Sequence, residues 1–183
     1  MSEQSVLVVI TDGTEELEAV APIDILRRGG LAVTVASLTD HRKARGANGL
    51  LIEADCTLSD AVDEVYDCVM IPGGAGVATF RKSSSLIDFL QGTAHSDRWV
   101  AAICAGPLVL DDAGLLEGKK HTCHFSVKEE LPKATFDKKV VIDGKVITSQ
   151  GPGTAVDFGL AILEQLAGKA KADEVAKNIC LHA

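Results

Sequence analysis

Trp99-Val100-Ala101-Ala102-Ile103-Cys104-Ala105-Gly106-Pro107 is the stretch on which the fold turns. Its apolar run, with no polar alternation, reads as a strand buried on both faces, as in a parallel sheet. Gly106 and Pro107 then open a helix, because proline suits a first helical position. Cys104 stands at the handover. Outward from it, Ser5–Thr11, Leu31–Leu38 (after the Gly29-Gly30 break) and Tyr66–Ile71 (before Pro72-Gly73-Gly74) are comparable runs. Thr135–Ile142 and Lys145–Ser149 are expected to form a hairpin across Asp143-Gly144. Ala155–Leu166 and Asp173–Leu181 read as closing helices. Glu15–Arg28 reads as a helix that Pro22 should kink or restart. Strands alternating with helices predict an α/β fold, a doubly wound sandwich with a mainly parallel sheet and helices on both faces, in one domain over 1–183.

Composition narrows the function. The chain carries 18 Lys and Arg against 26 Asp and Glu, a net charge of -8. That argues against a nucleic-acid surface or a polybasic membrane patch. Val6–Ile10, the longest apolar run near the start, is too short for a membrane span or a signal-peptide core. A cytoplasmic protein is the expectation. There are five cysteines, Cys56, Cys68, Cys104, Cys123 and Cys180. An odd count with no CxxC reads as reduced thiols in a reducing compartment.

In open α/β sheets the ligand site lies beyond the carboxyl ends of the strands. That rule gathers Asp12–Glu18, Pro72–Gly76 and Cys104–Pro107. A nucleophile at a sharp strand-to-helix turn is held accessible. The adjoining helix start is expected to lower the Cys104 pKa below the free value of about 8.5. The alternative is a structural cysteine, which suits Cys68 inside its strand better. Pro72–Gly76 offers consecutive backbone N–H groups for an oxyanion, or is simply a tight turn. A dinucleotide fingerprint would need glycine at position 79, where Thr79 stands, so no nucleotide cofactor is expected. Of Glu15, Glu16 and Glu18, at least two should only complement the helix dipole on a solvated face. One facing the cysteine from an apolar pocket would stay protonated and serve as acid and base. His121-Thr122-Cys123-His124 alternates between faces of an extended segment, so a shared metal is not expected. One of its histidines reaching the cysteine edge fits better. His41, His95 and His182 read as surface residues.

Taken together, Gly13-Thr14-Glu15-Glu16-Leu17-Glu18, Pro72-Gly73-Gly74, Ala102-Ile103-Cys104-Ala105-Gly106-Pro107 and Thr148-Ser149-Gln150-Gly151-Pro152-Gly153-Thr154 resemble the ThiJ/PfpI superfamily. Their order and spacing are most similar to its parkinsonism-associated glyoxalase/deglycase branch. The resemblance implies a flavodoxin-like homodimer without cofactor or metal. It implies Cys104 as nucleophile, Glu18 as its protonated partner, His124 as the nearby histidine, and N–H groups of Gly73, Gly74 and Ala105 around the oxyanion. The implied substrates are small 2-oxoaldehydes, with methylglyoxal converted to lactate without glutathione, or glycated protein in a deglycase reaction. Oxidation sensing through Cys104 accompanies that reading. The alternative is a non-enzymatic redox sensor and chaperone. Ala105 departs from the protease branch, which has histidine after the cysteine, and this disfavours a peptidase. Asn48 stands where family members often carry an arginine that joins Arg28 in an anion site at the dimer interface; Arg45 is the substitute candidate.

Overall fold

β1 (Ser5–Ile10) shows why the sheet needs two covering layers: from Val6 to Ile10 no side chain is exposed on either face. The computed structural model describes residues 4–181. After β1 come α1 (Glu16–Arg28), β2 (Ala32–Ser37), the antiparallel pair β3 (Lys43–Arg45) and β4 (Leu51–Glu53), β5 (Cys56–Thr57) and α2 (Leu58–Ala61). β6 (Cys68–Ile71), α3 (Val77–Phe80), α4 (Ser84–His95), β7 (Trp99–Ile103) and α5 (Pro107–Asp112) follow. β8 (Val140–Asp143), β9 (Val146–Ser149), α6 (Ala155–Ala167) and α7 (Lys169–Asn178) close the chain.

The main sheet has the order β5-β2-β1-β6-β7-β9-β8 and is parallel except for β8 against β9. Val6, Val8 and Ile10 face a core built with α1, α6 and α7. Leu7 and Val9 face the opposite core, built with α2 to α5. Each large aliphatic side chain so buried contributes about 1.5–3 kcal/mol. This is the doubly wound arrangement expected. Chain order reverses between β1 and β6, which flank one another while β2 lies on the other side of β1. The loops after β1, β6 and β7 therefore meet at one crevice. No helix among the described residues is long and apolar enough to cross a membrane.

Three boundaries differ from the sequence reading. α1 runs unbroken through Pro22, because packing along α6 outweighs the missing backbone donor. β8 begins only at Val140; residues 135–139 are irregular. There the Gln150 amide donates to the carbonyls of Phe136 and Lys138, which occupies groups that a ladder would need. α7 starts at Lys169 rather than Asp173, immediately after the Gly168 turn. His41 and His95 are exposed, His95 in the last turn of α4, and His182 lies outside the described residues.

Candidate functional site

The turn after β7 holds Cys104 at φ 66°, a left-handed conformation that side-chain-bearing residues rarely adopt. Both of its backbone groups are pinned. Its N–H donates to the Ser149 carbonyl at 2.9 Å, and its carbonyl accepts the His124 N–H at 2.8 Å. Gly106 caps α5, with Pro107 in the first turn. The side chain is half-buried. Such backbone strain persists only where the surroundings enforce it, and it clusters at functional sites.

α1 brings Glu18 to the same place. Glu15 caps the helix, its carboxylate accepting the Glu18 N–H at 2.9 Å. Glu18 itself is fully buried. Its Oε2 accepts the Gly73 N–H at 2.8 Å, while Oε1 is buried without a conventional hydrogen-bond partner. Gly73 lies between the carboxyl and the cysteine. A methyl group there would stand 2.6 Å from Glu18 Oε2, 2.7 Å from Cys104 Cβ and 3.0 Å from the Ala105 nitrogen. Only glycine leaves room for this approach. The loops are stitched by the Glu15 N–H to the Gly73 carbonyl at 3.0 Å and the Gly76 N–H to the Gly13 carbonyl at 3.0 Å.

Burial pushes the Glu18 carboxyl from its ordinary 4.5 to about 7, against bonds from Cys104 and Gly73 that pull it down. The low thiol pKa expected at a helix start is reversed. Burial, then the negative charge and hydrogen bond of Glu18, push Cys104 up to about 12. The Ala105 and Gly74 N–H groups pull the other way. The reason is geometric: α5 is a helix of 6 residues, and its weak terminal dipole faces a buried carboxylate in contact with the sulfur. The two groups therefore titrate as a pair. Losing the first proton near pH 7 leaves a single negative charge on the pair.

The other candidates fall as follows. Gly74 and Ala105 face the sulfur. Gly73, expected among the oxyanion donors, has its N–H taken by Glu18 and so positions the carboxyl instead. His124 Nδ1 accepts the Ser126 N–H at 3.3 Å and lies 2.8 Å from its hydroxyl, which leaves the proton of the neutral ring on Nε2. Gly151, quoted in the sequence only as part of a motif, separates His124 from Glu18. A methyl there would stand 3.1 Å from His124 Cδ2 and 4.0 Å from Glu18 Oε1. His121 Nδ1 lies 3.0 Å from the Lys119 carbonyl.

The expectation that two of the three glutamates would be solvated dipole complements does not hold. Glu15 is the cap. Glu16 is buried and accepts from the Asn48 N–H at 2.7 Å, the Asn48 side-chain amide at 2.9 Å and the Leu50 N–H at 3.2 Å, which clamps the β3–β4 loop onto α1. These bonds pull the Glu16 pKa down against its burial. Asn48 is thus committed to a carboxylate. Arg28 pairs with Asp24 at 2.6 Å, and Arg45 donates to the Gly49 carbonyl at 3.3 Å.

Residues 4–165 match the DJ-1/PfpI family. The chain is 43% identical to protein DJ-1 homolog A of Arabidopsis thaliana over 97% of its own length, and spans 47% of that relative, about half. It is 35% identical to a Caenorhabditis elegans protein named glutathione-independent glyoxalase DJR-1.2, over 98% of both chains. The crystal structure of Drosophila melanogaster DJ-1beta superposes with a TM-score of 0.95 at 40% identity, covering 99% of each chain.

Proposed function

The chain belongs to the DJ-1/PfpI family, and from that premise we propose that it is a glutathione-independent glyoxalase with Cys104 as nucleophile and Glu18 as proton carrier. One observation carries the reading. A fully buried carboxyl, raised to about 7, has one oxygen without a hydrogen-bond partner beside a strained, half-buried cysteine.

The chemistry follows from the pair. When Glu18 holds the proton, its negative charge no longer opposes the thiolate, and its O–H donates to the sulfur. The thiolate attacks the aldehyde carbon of a 2-oxoaldehyde and forms a hemithioacetal. The Gly74 and Ala105 N–H groups receive the developing oxyanion. Glu18 gives that oxygen its proton and becomes a carboxylate beside the former aldehyde C–H. It removes that hydrogen as a proton, and the electron pair forms an enediolate with its charge on the former ketone oxygen. Return of the proton to the neighbouring carbon, with transfer of the hydroxyl proton from the sulfur-bearing carbon to the former ketone oxygen, leaves a thioester, which water cleaves to the 2-hydroxy acid and the free thiol. The aldehyde carbon is oxidised and the ketone carbon reduced, so no external oxidant is needed. His124 Nε2 supplies a second proton donor across Gly151. Adducts of the same aldehydes with protein thiols and amines are the corresponding deglycase substrates. Oxidation of Cys104 would block the cycle and couple it to redox state.

The test is methylglyoxal with purified protein and no glutathione. Lactate formation is the expected result. Its absence, together with chaperone activity that survives removal of Cys104, would favour a redox sensor and chaperone.

The active form is proposed to be a homodimer. Leu17 and Val20 on α1 are 58% and 44% exposed, and Leu50 and Leu51 on the clamped hairpin 55% and 53%. Glu16 ties these two elements into one apolar surface. Light scattering at micromolar concentration should give twice the 19.2 kDa chain mass. A single-chain mass would count against the dimer.

A further inference from the structure

Beside His124 lies a cavity of about 250 Å³ that the mechanism above leaves empty. His124, Gly151, Phe125, Phe136 and Pro152 are among the residues that line it. Gly151 also faces Glu18 Oε1, so the cavity adjoins the reacting centre directly. Its aromatic walls are costly features to display. Phe125 is 70% exposed and Phe136 46% exposed, so neither ring is engaged in the core. The Phe125 ring lies 4.1 Å from the His124 ring, tilted by 35°. Gln150 holds the backbone that carries Phe136, donating to the Phe136 carbonyl at 3.2 Å and the Lys138 carbonyl at 2.9 Å.

The direction of a bound substrate is constrained. Once the aldehyde carbon is on Cys104, Gly73 and the buried Glu18 close one flank of the sulfur. The side of His124 and Gly151, toward the two phenylalanines, is where the cavity offers room for the group on the ketone carbon. We propose that this cavity is the subsite for that group, and that the enzyme prefers 2-oxoaldehydes bearing an aryl or bulky apolar substituent over methylglyoxal. The inference rests on the glyoxalase reading. Size agrees with it, since an apolar cavity of about 150 Å³ already holds a benzene ring. Chemistry agrees too: small-molecule sites pair apolar and aromatic walls with a few placed polar groups, here His124 and Gln150.

The experiment compares kcat/KM for phenylglyoxal, followed as mandelate, with kcat/KM for methylglyoxal, followed as lactate, both without glutathione. The wild type should favour phenylglyoxal about tenfold or more, and Phe136→Ala should lower that ratio about tenfold. Phe136→Leu, which keeps an apolar wall, should retain most of the preference. Melting temperatures accompany each variant, and the wild-type ratio tests the proposal even if a variant fails to fold. Turnover of methylglyoxal with no preference for phenylglyoxal would overturn the subsite and leave the glyoxalase reading intact. A preference that Phe136→Ala does not change would also overturn it. Turnover of neither aldehyde would overturn both.

Discussion

Cys104→Ser is expected to reduce methylglyoxal turnover by about 10⁴-fold or more, the scale on which loss of a nucleophile acts in enzymes that form covalent intermediates. The substitution changes little else. Serine and cysteine meet the same strain at φ 66°, and the backbone bonds to Ser149 and His124 do not involve the side chain. The fold should therefore keep its stability to within about 1 kcal/mol. Chemistry makes the loss large. A hydroxyl stays protonated in a pocket that already pushes a thiol up to about 12. A serine hydroxyl is a much weaker acid than a thiol, so the Glu18 carboxylate ionises it far less readily than it ionises cysteine. Lactate assay and melting temperature of the variant, side by side, decide the matter. Wild-type turnover in a well-folded Cys104→Ser would place the chemistry at another residue.

Much of this is legible in the sequence. Uninterrupted apolar runs at Val6–Ile10 and Trp99–Ile103 demand two covering layers, and that requirement alone yields the doubly wound sheet. The loops at its carboxyl edge then follow from topology. What escaped depends on distances between segments far apart in the chain. Lys43-Ala44-Arg45 carries no apolar pattern, so the β3–β4 hairpin was silent, and with it the partner that takes Glu16 out of solvent. Gly73 looked like an oxyanion donor because the sequence shows a free N–H; it does not show a carboxylate 55 positions earlier accepting it. The thiol pKa was misjudged for the same reason. A helix start is visible in Gly106-Pro107, but the depth of burial and the facing charge are not. Gly151 had no local signal beyond its motif, because its role is the space it leaves between two side chains.

Glu18→Gln separates a proton carrier from a mere helix residue more sharply than any other change. Glutamine nearly matches the shape and keeps an oxygen to accept the Gly73 N–H, but it cannot take up and return a proton. General acid–base groups contribute about 10²–10⁴-fold, so turnover should fall at least a hundredfold. Alkylation of Cys104 by iodoacetamide should be no slower than in the wild type, because the Glu18 charge that raises the thiol pKa is gone. Stability should move in the opposite direction to activity. The Glu18 carboxyl titrates near 4.5 when unfolded and near 7 when folded, so the native chain holds a proton that the unfolded chain has released over that window. Wild-type stability is therefore greatest below about 4.5 as far as this group is concerned and declines as pH rises through about 7. The decline amounts to about 3 kcal/mol at most, from about 1.4 kcal/mol per pH unit, and Glu18→Gln should remove it. Turnover of the wild type should rise with pH through the same value, as the pair loses its first proton, and that limb should vanish from the residual activity of the variant. Melting temperatures and rates between about pH 5 and pH 8 read both effects in one series. A variant with near-normal turnover and an unchanged pH limb would remove Glu18 from the reaction and leave His124 as the proton carrier.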